Sequence, residues 1–278
     1  MKDKLFDYVE KDNWVFKLSG ITKLICFIIL TVAVMYTFDV RMLALILVLS
    51  VWVLHTSGIT FSQIKVPLYY VGVFLVLNFI LTYLFDPQYG VDLYGSSHEI
   101  FRFSSRYTVT WEQLMYQGSK TCKYASVVPL GMMFVLTTNP SEFASSLNGV
   151  GVSYRVGYAL SLTLRYFPDT IRNYNDISIA QQSRGLDMSK KEKLGTRIKN
   201  TLNIFFPLIL STMDRVEVIS NAMDLRSFGK HKKRTWYVKT PKTKQDYLCI
   251  AACALVLALV LCMGFFVNGG RYWNPFTE

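Results

Sequence analysis

Histidine, cysteine and acidic side chains are scarce in this chain of 278 residues, and each scarcity removes a class of chemistry. The three histidines, His55, His98 and His231, lie far apart, which leaves no zinc-protease pair and no Ser-His-Asp arrangement in view. No Gly-x-x-x-x-Gly-Lys-Ser/Thr phosphate loop occurs, so the chain does not bind ATP by that means. The five cysteines are odd in number, and Cys26, Cys253 and Cys262 sit well inside apolar runs, which argues for packing over a disulfide framework. Cys249 and Cys253, four residues apart, share one helix face, but two thiols alone make an incomplete zinc site. No cofactor and no resident metal are expected.

What is plentiful is apolar sequence. Ile21 to Phe38, Met42 to Ile59, Val66 to Phe85 and Tyr247 to Val267 are unbroken runs, each long enough as a helix to cross a hydrocarbon layer about 30 Å thick. A fifth run, Cys122 to Thr138, is shorter and holds Lys123, Pro129 and Gly131; the flank Trp111 to Lys120 extends it as an interfacial helix. The first run is too long for a signal peptide and leads through Asp39-Val40-Arg41 straight into the next, so it is read as a retained helix. The expected fold is an all-α integral membrane protein of about five transmembrane helices.

Charge sets the orientation. The chain has 30 Lys and Arg against 19 Asp and Glu, and 18 of the basic residues fall between Thr138 and Gln245 against eight acids there. The loop Asp86 to Glu112 holds four acids and only Arg102 and Arg106. Positive charge close to membrane ends stays in the cytoplasm, so the basic segment is expected inside, the 86–112 loop outside, and the N-terminus cytoplasmic. Three parts follow: a membrane domain 1–138, a cytoplasmic helical domain 139–245, and a last transmembrane helix with an outer tail, 246–278. In the outer loop, the alternation through Ile100, Phe101, Phe103, Tyr107, Val109 and Trp111 can form a short hairpin that caps the bundle.

The basic segment reads as one short and two long amphipathic helices. Asn139-Pro140-Ser141-Glu142 starts the first by its cap, its proline and its acid, and the helix runs to about Leu147 before Asn148-Gly149-Val150-Gly151. The second spans Tyr154 to Arg184. Arg165 with Asp169 and Arg172 with Asp176 form i,i+4 pairs, Leu160, Leu164, Phe167, Ile171, Tyr174 and Ile177 trace the apolar stripe, Pro168 bends the helix, and Gly185 caps it. Lys190, Lys191 and Lys193 follow as a turn. The third runs from about Thr196 to Arg226, with one stripe through Leu202, Phe205, Phe206, Ile209, Met213, Val216 and Met223 and a polar stripe through Asp214, Glu217, Asn221 and Asp224. Both long helices are too polar to span lipid and too apolar on one side to stand alone in water, so they pack on each other, on the membrane domain or on a partner.

The long helices finish alike, in Ala180-Gln181-Gln182-Ser183-Arg184-Gly185 and in Asn221-Ala222-Met223-Asp224-Leu225-Arg226-Ser227-Phe228-Gly229. With Asn139-Pro140-Ser141-Glu142, Leu164-Arg165-Tyr166-Phe167-Pro168 and the order of spans, these residues resemble the transmembrane coupling subunit, or T component, of energy-coupling factor transporters, the vitamin and metal-ion importers of prokaryotes. The resemblance covers most of the chain. It implies that Ser183, Arg184 and Gly185, and Leu225, Arg226 and Ser227, dock into two cytoplasmic ABC ATPase subunits. It also implies that the long helices cross beneath a small substrate-binding membrane protein, the S subunit. The apolar residues Phe205, Phe206 and Met213 are the expected contacts to that subunit. Ser183, Leu225 and Ser227 depart from the usual Ala-Arg-Gly pattern. Without glycine at position 227 the left-handed cap after Arg226 is less favourable, and Gly229 is expected to supply it two residues on.

The leading expectation is therefore a non-enzymatic coupling subunit of an ATP-driven importer, multi-pass in the cell membrane, with the bilayer and no nucleic acid among its partners. The alternative is a membrane enzyme acting on a lipid or prenyl diphosphate, in which Asp214, Glu217 and Asp224 converge with Asp169 and Asp176 around a divalent ion. A third reading is a scaffold that recruits a soluble protein through its basic face.

Overall fold

A computed structural model of the chain describes residues 13–102, 108–186, 194–231, 235–236, 242–270 and 272–275. The basic turn at Lys190, Lys191 and Lys193, the hairpin residues Phe103 and Tyr107, and Lys232, Lys233, Arg234 and Lys239 lie outside the described residues.

The chain is mostly helical and divides into two compact units, one of Met1–Phe143 with Thr240–Glu278 and one of Ala144–Lys239. In the first unit, a short helix α1 (Trp14–Lys17) precedes α2 (Gly20–Tyr36), α3 (Val40–Thr56), α4 (Phe61–Phe85) and α5 (Tyr89–Tyr94). Strands β1 (Glu99–Arg102) and β2 (Thr108–Thr110) follow, then α6 (Trp111–Thr137) and, after the second unit, α10 (Lys244–Cys262), which widens into a π turn at Met263–Val267.

The long helices of this unit begin where a side chain can serve the orphan N–H groups of the first turn. Ser19 Oγ accepts from Thr22 N, Asp39 from Arg41 N and Thr110 Oγ1 from Gln113 N. Thr60 with Gln63 and Thr243 with Asp246 form capping boxes. The box at Thr60 starts α4 at Phe61, five residues before the apolar run begins at Val66. The flank Trp111–Lys120 is continuous with the following run, giving one helix of 27 residues.

Helices α2, α3, α6 and α10 share a core of Ala33, Val34, Met42, Leu43, Ile46, Leu130 and Val260. Phe27 stacks on Phe134 with ring centroids 5.2 Å apart. Among the described residues, Phe61–Phe85 and Lys244–Val267 are long and apolar enough to cross a membrane, while α2 and α3 are apolar with 17 residues each. Helix α4 has no buried residue and packs along α6.

At one end of this unit Asp39 receives Arg41 Nη2 at 3.3 Å and Asn268 Nδ2 at 2.9 Å, and the Arg41 guanidinium lies 4.2 Å from the centre of the Trp273 ring. That cluster joins the end of α2, the start of α3 and the segment after α10. The hairpin pairs antiparallel, Phe101 with Val109 and Glu99 with Thr110, with a register irregularity between Glu99 and Phe101.

Glu112, fully buried at the head of α6 and upstream of its apolar run, fixes the loop. It accepts from the backbone N–H of His98 at 3.0 Å and from Ser96 Oγ at 3.2 Å, and its Oε1 lies 2.6 Å from His98 Nδ1. Burial alone raises its pKa, but the bonds from His98 and Ser96 prevail and hold it below the ordinary 4.5. A carboxyl with a folded pKa below its unfolded one contributes stability above the unfolded value and loses it as pH falls through the folded value. Protection of the His98 amide against hydrogen exchange should therefore fall as pH drops below about 4.5. In Glu112→Gln that dependence should vanish.

Candidate functional site: two arginine-capped helix ends

The second unit is built from the end of α7 (Pro140–Gly149), α8 (Tyr154–Ser183) and α9 (Leu194–Leu225). Helix α7 runs two residues past Leu147, and Val152 N returns to Leu147 O at 3.0 Å. Helix α8 continues through Pro168. Its ion pair among the described residues is Arg172 with Asp169 at 3.7 Å, an i,i+3 contact in place of the i,i+4 pairs expected from spacing.

The ends of α8 and α9 have the same geometry. At the first, Leu186 N donates to Gln181 O at 3.2 Å and Gly185 N to Gln182 O at 3.0 Å. At the second, Phe228 N donates to Met223 O at 3.0 Å and Ser227 N to Asp224 O at 2.9 Å. Both are complete Schellman motifs, and in both the arginine occupies the C-cap, where a cation meets the negative end of the helix dipole.

The left-handed position is Gly185 (φ 89°) at the first end and Ser227 (φ 53°) at the second. Gly229 also has a positive φ, of 88°, but the cap closes at Ser227, which corrects the expectation that it would shift two residues on. A non-glycine residue in this region costs about 1 kcal/mol or slightly more. Ser227→Gly should accordingly raise stability by about 1 kcal/mol in thermal unfolding and keep the cap.

What holds Ser227 there is the start of α8. Phe228 sits 5.7 Å from the ring of Tyr154 and 4.6 Å from that of Tyr158, and Arg155 Nη2 donates to Gly229 O at 2.9 Å. Trp236 Nε1 bonds Asn148 Oδ1 at 3.2 Å, so the chain after α9 folds back over the turn between α7 and α8. These anchors escape sequence reading because Arg155 and Gly229 are 74 residues apart. The first end has no such anchor among the described residues. Ser183, Arg184 and Gly185 are exposed, and a Cβ built on Gly185 meets nothing within 4 Å.

Phe228, just past α9, meets the first turn of α8, and Arg215, ten residues before the end of α9, lies over the Tyr166 ring at 5.7 Å. The two helices thus run antiparallel, which puts Arg184 and Arg226 at opposite ends of a pair about 45 Å long. Leu225, beside Arg226, is 89% exposed. On α9, Phe205, Phe206 and Met213 are 49%, 70% and 63% exposed and lie on one stripe with Leu202 and Ile209. Asp214, Glu217 and Asp224 are exposed on the same helix, and among the described residues no three His, Cys, Asp or Glu side chains gather as a metal site would require. The convergence with Asp169 and Asp176 that the enzyme reading needs is absent from the described residues.

A family described as CbiQ, cobalt transport protein, matches residues 11–237. Among curated proteins, the energy-coupling factor transporter transmembrane protein EcfT of Bacillus selenitireducens is 24% identical over 266 residues, covering 93% of this chain and 96% of that protein. The protein of the same name from Streptococcus thermophilus is 20% identical, over 91% of this chain and 95% of its own length. A putative ABC transporter ATP-binding protein of Bifidobacterium longum is 27% identical over 150 residues, which are 51% of this chain and 19% of that longer protein.

Proposed function

Since the chain belongs to the CbiQ family of transport proteins and is a transmembrane component of an energy-coupling factor transporter, we propose that it links ATP hydrolysis by two cytoplasmic ATPase subunits to a small substrate-binding membrane protein. The observation that carries this reading is the pair of Arg-capped Schellman ends at opposite ends of α8 and α9. One repeated connector, presented twice at a separation of about 45 Å, suits two like partners and not one pocket. Arginine offers a planar fork of donors for carboxylates and carbonyls in a partner groove, and Ser183 and Gly185 beside Arg184 leave room for close approach. A relative named as an ATP-binding protein that contains a stretch similar to this chain within a much longer polypeptide supports an ATP-binding partner.

In this reading α2, α3, α4, α6 and α10 are five spans with the N-terminus inside. Helices α7, α8 and α9 form the cytoplasmic coupling domain, 139–245, and 246–278 supply the last span and outer tail. The parity is supported within the first unit: the start of α2 and the start of α10 share Asp246, and the end of α6 bonds Lys23 of α2, so these three ends lie on one side. Phe205, Phe206 and Met213 would face the substrate-binding subunit, whose cargo is a vitamin or a metal ion.

The test is affinity purification from the native membrane in mild detergent. Two ATP-binding subunits and a small membrane protein recovered with the chain bear the reading out; recovery of the chain alone overturns it.

A further inference from the structure

Three helix ends of the first unit meet at a buried polar knot that spacing in the sequence does not reveal. Asp246, fully buried, accepts from the backbone N–H of Ser19 at 2.9 Å, from that of Thr243 at 2.6 Å and from the Thr243 hydroxyl at 2.8 Å. Ser19 and Thr243 are the N-caps of α2 and α10, so one carboxylate serves two helix N-termini, where the dipoles favour an anion. Lys23, 4% exposed, donates from Nζ to the carbonyl of Thr137, the last residue of α6, at 2.8 Å and to that of Phe16 in α1 at 3.2 Å.

A lysine buried this deeply is held by its bonds to the two carbonyls, which an apolar side chain would leave unpaired. The knot therefore does something that packing alone does not. Its position indicates what. The chain leaves the first unit after Phe143 and returns at Thr240, so Thr137, bonded by Lys23, precedes one crossing while Thr243 and Asp246 follow the other.

We propose that Lys23 and Asp246 are positioning residues that clamp both chain crossings to the starts of α2 and α10 and the end of α6, so that displacement of the Ala144–Lys239 unit moves these three helices together. The proposal rests on the coupling function above. In its absence the knot would be a stability feature alone.

The structure supplies reporters. Cys26 lies one turn past Lys23, and Cys249 one turn past Asp246; with Cys253 they line an apolar cavity of about 230 Å³ walled by α2, α3, α6 and α10. In the purified complex, labelling of these cysteines by N-ethylmaleimide, located by peptide mass, should change on adding Mg-ATP. In Lys23→Met the ATPase subunits should stay bound and hydrolyse ATP, while the ATP-dependent change in labelling shrinks by about fivefold or more, the lower end of a typical coupling factor. Lys23→Met with Asp246→Asn removes both charges and keeps a side-chain acceptor for the Ser19 and Thr243 N–H groups, so it provides a folded control should the single change be unstable; it too should lose the ATP response.

An undiminished ATP response in either variant overturns the clamp. A wild-type complex that holds its ATPases but labels identically with and without ATP overturns the clamp and leaves the coupling function standing. A wild-type chain purified without ATPases overturns both.

Discussion

Replacing Arg184 and Arg226 together by alanine should strip the ATPase subunits from the purified complex, while either single change leaves partial recovery. Truncating a charged, hydrogen-bonded interface residue costs about 2 to 5 kcal/mol. Two contacts on one rigid helix pair act with avidity, so losing one reduces retention and losing both abolishes it. The singles should differ. Arg226 stands on a cap braced by Phe228, Tyr154, Tyr158 and Arg155, whereas at the other end Ser183, Arg184 and Gly185 are all exposed. A braced end loses less entropy on binding, so Arg226→Ala should reduce retention more than Arg184→Ala. Arginine-to-lysine changes at both positions keep the charge and lose the planar fork; recovery close to that of the double alanine variant would assign the affinity to geometry. Undiminished recovery of the ATPases with the double alanine variant would remove these ends from the interface.

Gly157→Val should loosen the Ala144–Lys239 unit without touching a residue proposed to dock. A Cβ on Gly157 would lie 2.7 Å from the Ala144 carbonyl oxygen and 3.1 Å from the Trp236 ring, so α7 and α8 must separate or Trp236 must leave. Overpacking of this kind costs about 1 to 3 kcal/mol. Limited proteolysis of the purified chain should open sites within residues 144–239 at lower temperature than in wild type, and the Trp236 to Asn148 bond should be lost. Because that junction also braces the Arg226 end, ATPase retention should fall alongside. Retention and proteolysis both at wild-type levels would mean the aromatic junction gives way at no cost.

How far these features could be read from residues alone depends on whether their cause is local. The helix starts at Pro140 and Tyr154 and the glycine cap at Gly185 were legible because caps act over three or four residues. So was the pairing of β1 with β2, from its alternation. The Ser227 cap was not, because the residue adopts its strained backbone only by virtue of the rings of Tyr154 and Tyr158 contributed from the far end of α8. The exchange of an i,i+4 pair for Arg172 with Asp169 reflects how weakly an exposed pair prefers one geometry over another. Lys23 reads as an ordinary flank of an apolar run, and only the fold brings it to Thr137, 114 residues away.

Helix α4 deserves a separate thought about freedom of movement. None of its side chains is buried, and lipid tails solvate leucine and phenylalanine as well as protein does, so no apolar penalty opposes its swinging outward. What tethers it to α6 is a short set of directional contacts: Gln117 Nε2 to Phe79 O at 3.3 Å, Lys120 Nζ to Thr82 Oγ1 at 2.9 Å and the edge-on rings of Phe74 and Tyr124. At about 1 kcal/mol for each such contact, this wall of the bundle can swing outward for a few kcal/mol, with the polar tethers towards its C-terminal half acting as the hinge.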